Sequence, residues 1–335
     1  MKKLLFIYNP KAGKGEIRSQ LSHILEELAK QDYEIVIHPT REAQDAVRVV
    51  RDQGEGFDLL VCSGGDGTLD EVVTGMQLAG LRTPLGYIPA GSTNDFAASL
   101  GIPRQMRRAA KVITEGIPYE CDLGKLNDNY FVYVAAFGVF TDVSYKTSQD
   151  WKNMLGHLAY ILEGVKSLSS VKSWRMRMES AEYSGSGEFF YGMITNSNSV
   201  GGFKGITGKN VTLNDGMFEV TLIRKPENFI EWPLIINALV TGEKNPYVIS
   251  FKTSRLEVFG QDEVPWTRDG EYGGSHCHTV IENLPKAFSI LIPEHPEALQ
   301  EDSGKQEMVS GWEEESFREL GQPELAVSRE KMVTK

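Results

Sequence analysis

Through the first third of the chain, short unbroken apolar runs alternate with apolar residues at helical spacing. Runs near residues 3–8, 33–38, 58–62 and 84–88 predict strands, and amphipathic patterns near 16–31, 42–53, 69–79, 93–100 and 105–116 predict helices. A strand apolar at every position is buried on both faces, as in a parallel sheet. Strand and helix in strict alternation predict such a sheet covered by helices. The expectation for residues 1–122 is therefore a Rossmann-like α/β domain. After Cys121-Asp122-Leu123-Gly124 the texture changes. Tyr130–Phe137, Arg175–Met178, Phe189–Asn196, Phe218–Arg224 and Arg255–Phe259 read as strands separated by Gly- and Asn-rich turns. Residues 123–293 are expected to form an all-β antiparallel sandwich, interrupted by helical patterns at Trp151–Leu168 and Phe229–Val240. No internal repeat is present.

Three of the predicted strands in the first third end in turns with chemistry. After Asp58–Cys62 comes Ser63-Gly64-Gly65-Asp66-Gly67-Thr68-Leu69-Asp70-Glu71. Glycines there let backbone N–H groups close on a phosphate. A carboxylate inside a phosphate turn makes sense when a cation stands between the two anions. The same residues also suit a plain glycine turn with an Asp cap. The first strand runs into Asn9-Pro10-Lys11-Ala12-Gly13-Lys14-Gly15 and then a helix N-terminus, a combination that binds anions. It lacks the P-loop pattern. The fourth strand runs into Ala90-Gly91-Ser92-Thr93-Asn94-Asp95, where Ser92, Thr93 and Asn94 are of the types that cap a helix. All three turns fall at the carboxyl edge of one sheet, where open α/β folds bind ligands.

Composition narrows the class. The chain has 335 residues, 41% of them hydrophobic, enough for two cored domains. No apolar run reaches the length of a membrane span, and the Met1-Lys2-Lys3 start carries no signal-peptide pattern. Cys62, Cys121 and Cys277 are odd in number and far apart, which fits a reducing cytoplasm. The net charge of −11 disfavours a nucleic-acid partner. From Glu294 onward 11 acidic and 5 basic residues give −6, so the body carries −5. Residues 294–335 read as an acidic, flexible tail with a short helical pattern near Trp312–Leu320.

Asn9-Pro10-Lys11-Ala12-Gly13, Gly64-Gly65-Asp66-Gly67-Thr68 with Glu71-Val72, and Gly91-Ser92-Thr93-Asn94-Asp95-Phe96-Ala97 together resemble the diacylglycerol kinase catalytic family. Leu213-Asn214-Asp215-Gly216-Met217-Phe218 and Arg268-Asp269-Gly270-Glu271 extend the resemblance to about residue 293. The Gly-Gly-Asp-Gly-Thr element is shared with NAD kinases; the Asn-Asp-Phe-Ala and Asp-Gly-Glu elements are not. The resemblance implies ATP, Mg²⁺ and a lipid hydroxyl met at a membrane surface, with diacylglycerol as the leading acceptor. A sphingoid base, a polyprenol or NAD is the alternative acceptor, and a non-catalytic nucleotide-binding regulator the alternative of another kind. Asn9, Pro10, Lys11, Ala12, Gly13, Thr40, Gly64, Gly65, Asp66, Gly67, Thr68, Leu69, Asp70, Ser92 and Asn94 would contact the nucleotide, with Asp66 in the magnesium network. Asp269 and Glu271, flanking Gly270, would be the catalytic carboxylates, both on the same side of an extended segment. Asp215, with the carbonyls of Thr212 and Met217, would hold a second, structural Mg²⁺.

Three positions depart from the family pattern. Ser92 replaces the commoner Thr and keeps the hydroxyl; Asp70 replaces Asn and adds charge; Gln44-Asp45-Ala46 lacks the usual Gly after Thr40. His276-Cys277-His278 lacks the second ligand pair a zinc site requires and reads as strand or loop surface. With no basic patch in view, membrane contact would rest on apolar side chains or on the geometry of an oligomer such as a homodimer. A cytoplasmic protein in transient membrane contact is the expectation.

Overall fold

The computed structural model describes residues 2–138, 172–200, 203–204, 211–228, 231–241 and 243–294. The patterns at Trp151–Leu168 and Trp312–Leu320 lie outside these, and all described residues belong to one compact unit.

Strands β1 (Lys2–Tyr8), β2 (Tyr33–Pro39), β3 (Leu59–Gly64) and β4 (Leu85–Pro89) pair in parallel in the order β4-β3-β1-β2. Helices α1 (Ile17–Leu28), α2 (Asp45–Gln53), α3 (Asp66–Leu78), α4 (Asp95–Ser99) and α5 (Met106–Glu115) connect and cover them. The apolar runs explain the placement: β3 and β4 are buried at every position. The α5 helix buries Met106, Ala109, Ala110, Val112 and Ile113 and turns Arg107 and Lys111 outward, the stripe its spacing predicts.

The second half is β-rich and antiparallel. It comprises β5 (Ile117–Leu126), β6 (Asn129–Phe131), β7 (Val134–Gly138), β8 (Trp174–Glu179), β9 (Ser184–Thr195), β10 (Ser199–Val200), β11 (Phe203–Lys204), β12 (Phe218–Arg224), β13 (Val248–Thr253), β14 (Arg255–Arg268) and β15 (Glu271–Ile292). Among the described residues of this half, helix α6 (Trp232–Thr241) packs Trp232 edge-on to Phe190 at 4.9 Å between ring centres.

The sheets are not separate, and here the Rossmann-like expectation needs correcting. Strand β15 spans 22 residues, pairing antiparallel with β14 and β5 and then in parallel with β4 at Ile290–Leu85. The parallel strands therefore continue into antiparallel ones as a single thirteen-stranded sheet. The hydrophobic interior follows this continuity. One cluster runs from Leu4, Val61 and Val73 to Phe190 and Phe288, crossing both halves. A second, with Phe137, Phe218 and Trp266 at its centre, lies within the antiparallel strands.

Candidate active site

The β1, β3 and β4 turns meet at the carboxyl edge of the sheet because small residues let their backbones touch. Gly13 has φ +55° and lies so close to the Ala90 carbonyl that a side chain there would collide. Gly91 likewise sits on Gly65: a Cβ on Gly91 would come within 2.7 Å of the Gly65 Cα. Hydrogen bonds then join the strand ends, Asn9 N–H to the Ser63 carbonyl at 2.8 Å and Ala90 N–H to the Gly64 carbonyl at 2.7 Å. The result is one wall of a cavity of about 890 Å³.

Asp66 opens helix α3 on this wall. Its carboxylate accepts the N–H groups of Asp95 (3.2 Å) and Phe96 (3.5 Å), which begin helix α4. Asp66 therefore caps α4 across space, the role expected of Ser92, Thr93 or Asn94. Asn94 instead uses its side chain to clamp Gly91, accepting from its N–H and donating to its carbonyl. Burial first, and the Asp95 charge next, push the Asp66 carboxyl up to about 7, although the two N–H groups favour its ionised form.

The opposite wall is the β14–β15 turn. Asp269 stands at φ +47° and Gly270 at φ +90°, so the segment is a tight turn and not extended. Its two carboxylates accordingly part company. Asp269 is buried and its oxygens accept the N–H groups of Val132, Tyr133 (3.0 Å) and Val134 (2.9 Å). Burial still raises its pKa, against the pull of those three donors. Glu271 is exposed, lines the cavity, and has no side-chain partner among the described residues.

Most of the residues named from sequence line this cavity: Asn9, Lys11, Ala12, Gly13, Thr40, Gly65, Asp66, Gly67, Thr68, Asp70, Ser92, Asp269 and Glu271. Thr40 is anchored by its N–H to the Tyr8 carbonyl at 2.8 Å. Four named residues stand off the lining. Leu69 is core, Asn94 and Gly64 lie buried behind the wall, and Pro10 shapes the turn. Glu42 and Gln44 also line the cavity; Glu71 accepts the Gln44 N–H at 2.9 Å, and Glu42 pairs with Arg48 at 2.7 Å. Sequence reasoning passed over Tyr133 and Arg268. Tyr133 sat inside an apolar run, and Arg268 was quoted only as the flank of Asp-Gly-Glu. Asp95 was visible beside Asn94 and was not singled out.

Asp215 lies apart from this lining. One of its oxygens accepts the Met217 N–H at 3.0 Å, and the other pairs with Lys252 at 3.2 Å. An ammonium group already neutralises this carboxylate, so the arrangement of Asp215, Thr212 and Met217 does not support the structural Mg²⁺ site. The turn is instead pinned by buried Asp122, which accepts the N–H groups of Gly216 (2.6 Å) and Lys286 (2.8 Å). Among the described residues no three His, Cys, Asp or Glu side chains converge on a common metal position. His276, Cys277 and His278 lie along β15, as strand surface. No described helix is long and apolar enough to cross a membrane.

Residues 3–126 match the diacylglycerol kinase catalytic domain, and residues 134–292 match the YegS C-terminal NAD kinase beta sandwich-like domain. A protein called diacylglycerol kinase from Bacillus subtilis (strain 168) is 35% identical over 297 residues, 88% of this chain and 97% of the relative. Another of that name, from Staphylococcus carnosus (strain TM300), is 33% identical over 307 residues, 90% of this chain and 99% of the relative. A crystal structure of a diacylglycerol kinase from Bacillus anthracis str. Sterne superposes with a TM-score of 0.72 at 25% identity, covering 88% of this chain and 97% of that one.

Proposed function

Because the chain belongs to the diacylglycerol kinase family, we propose that it moves the γ-phosphoryl group of ATP to the free hydroxyl of diacylglycerol, giving phosphatidic acid. The observation that carries this reading is one cavity walled by both the Gly-rich phosphate turn with Asp66 and the Asp269-Gly270-Glu271 turn. In-line phosphoryl transfer needs the phosphates and an acceptor base on facing walls.

The residues fit a divalent cation. Glu42, Asp66, Asp70, Glu71, Asp95, Asp269 and Glu271 line the cavity, against only Lys11 and Arg268. A Mg²⁺ carried in on the nucleotide would offset charge on the phosphates and on this wall. Asp66 is the side chain placed to meet it, with phosphate oxygens and water completing the shell. The turns at Gly13, Gly65 and Gly91 supply backbone N–H groups for the phosphates. The acceptor proton goes to Glu271. Asp269 has its oxygens held by three amides, whereas Glu271 is unengaged. As the lipid oxygen bonds to the γ-phosphorus, the bond from that phosphorus to the bridging oxygen breaks and ADP leaves. The lipid comes from a membrane surface, so Glu271, at the exposed rim, is the carboxylate it meets first.

A screen of ATP-dependent phosphorylation over diacylglycerol, sphingosine, ceramide, undecaprenol and NAD tests the reading. Turnover fastest with diacylglycerol is expected; fastest turnover with any other acceptor overturns the substrate, and none with any of them overturns the reaction.

A further inference from the structure

Two tyrosines are buried at this cavity, and their hydroxyls are treated differently. Tyr87 lies behind the phosphate turn, and its hydroxyl donates to the Gly64 carbonyl at 3.2 Å. Tyr133 is 6% exposed and lines the cavity itself. Its backbone is fully engaged: the N–H donates to Asp269 Oδ1 at 3.0 Å, and the carbonyl accepts the Asn196 N–H at 2.9 Å. Its hydroxyl meets no hydrogen-bonding partner among the described residues. A buried tyrosine hydroxyl ordinarily finds a partner, so one left without on a cavity wall points to a ligand.

We propose that the Tyr133 hydroxyl donates to an oxygen of the γ-phosphoryl group, in ATP and as the group passes to the acceptor. This rests on the kinase reading for the identity of the ligand. The backbone of Tyr133 is tied to the catalytic turn through Asp269, whereas its side chain belongs to the same hydrophobic cluster as Leu69 of α3 and Phe96 of α4. The residue thus spans from one wall to the other, and the phosphoryl group is transferred between those walls. Donors are scarce there. Of the two cationic side chains among the described residues that line the cavity, Lys11 and Arg268, the second already donates to the Tyr130 carbonyl. The carboxylates facing the phenol are Asp66 and Asp95 from the first wall and Asp269 from the second. Burial first, and these charges next, hold the phenol well above its ordinary pKa, so it stays a neutral O–H and adds no charge to an acidic cavity. A fixed donor aimed at charge that develops on the phosphoryl oxygens stabilises the transition state. No bond to Tyr133 forms or breaks: its proton stays on the phenol, and the acceptor proton goes to Glu271.

Tyr133→Phe removes the oxygen and keeps the ring. With diacylglycerol in phosphatidylglycerol vesicles and saturating Mg–ATP, its kcat should fall about 10- to 100-fold, the worth of one hydrogen bond to a charged group. Calorimetric titration with Mg–adenylyl imidodiphosphate should show affinity about 3- to 10-fold below the wild type, whereas Mg–ADP, which lacks the γ-phosphoryl group, should bind within about twofold. Thermal melting should be no lower than in the wild type, because the lost hydroxyl has no partner in the protein. Turnover equal to the wild type, equal weakening of both nucleotides, or a lower melting point would each overturn the proposal, the last by revealing a structural partner. A wild type that phosphorylates no alcohol, with the triphosphate analogue still bound more weakly by the variant, would remove the kinase reading and uphold the contact. A working kinase indifferent to the substitution would do the reverse.

Discussion

Asp66 and Asp269 stand on opposite walls of the same cavity, yet the regions that present them are built on different rules. Asp66 follows a fully buried parallel strand, and its wall is assembled from three strand-to-helix turns at one sheet edge. Asp269 sits in a single hairpin turn, in a left-handed backbone conformation, tied by its carboxylate to the β6–β7 connection. In the proposed reading the first wall is redundant: several backbones would share the phosphates, so most single side-chain changes there should be tolerated. The second has no redundancy. One carboxylate satisfies three buried amides, and the geometry of Glu271 depends on it. Both regions hold a carboxylate on backbone N–H groups, but only Asp269 is held tightly enough to be structural. Asp66 accepts only two N–H groups, at longer distances.

That contrast can be broken most severely at Asp66. Asp66→Ala should reduce phosphoryl transfer by about 10³-fold or more, because a metal-linked charge interaction is worth several kcal/mol at the transition state. Its thermal melting should stay cooperative, since the carboxylate caps only the five-residue α4. Near wild-type turnover in that variant would remove Asp66 from the chemistry.

Asp269→Asn should act on the fold as well as on the rate. With the amide oxygen kept on the Tyr133 and Val134 N–H groups, the Val132 N–H loses its acceptor and faces the new NH₂ instead, at a cost of about 1–3 kcal/mol. Urea unfolding should register that loss as a lower midpoint. An unchanged midpoint would show that the three bonds to Val132, Tyr133 and Val134 contribute no stability.

A smaller effect sharpens the difference through pH. The Asp66 carboxyl is raised to about 7 in the folded protein, by burial and by the Asp95 charge. The folded state therefore binds more protons than the unfolded state between about pH 4 and 7. Stability tied to this group is present at acid pH and lost as pH rises through that window. Asp66→Asn should melt higher than the wild type above pH 7, with the gap closing below about pH 4. A gap of the same size at every pH would contradict the assignment.

The first region was legible because its signals are local. The apolar runs placed β1 to β4 within two residues of where they lie, and the Gly-Gly-Asp-Gly-Thr turn named its own wall. Less could be read from the second region. β15 contains Gly273, Gly274 and Pro285 amid mixed polar residues, and its strand character comes from partners far away in sequence. Asp-Gly-Glu reads from sequence as extended, and only the positive φ at Asp269 and Gly270 separates the buried carboxylate from the exposed one. The Asp66 cap on α4 joins residues 29 positions apart, and no spacing rule reports it.

The central claim is that Glu271, and not its buried neighbour, takes the proton from a lipid hydroxyl while the other wall holds the nucleotide. A pH–rate profile of Glu271→Gln with diacylglycerol, alongside calorimetric ATP binding, tests it most directly. Turnover should fall about 10²–10⁴-fold and lose the acidic limb of the profile, because the base is gone. ATP affinity should stay within about threefold, because the phosphates rest on the first wall. Wild-type turnover with the acidic limb intact would contradict the account.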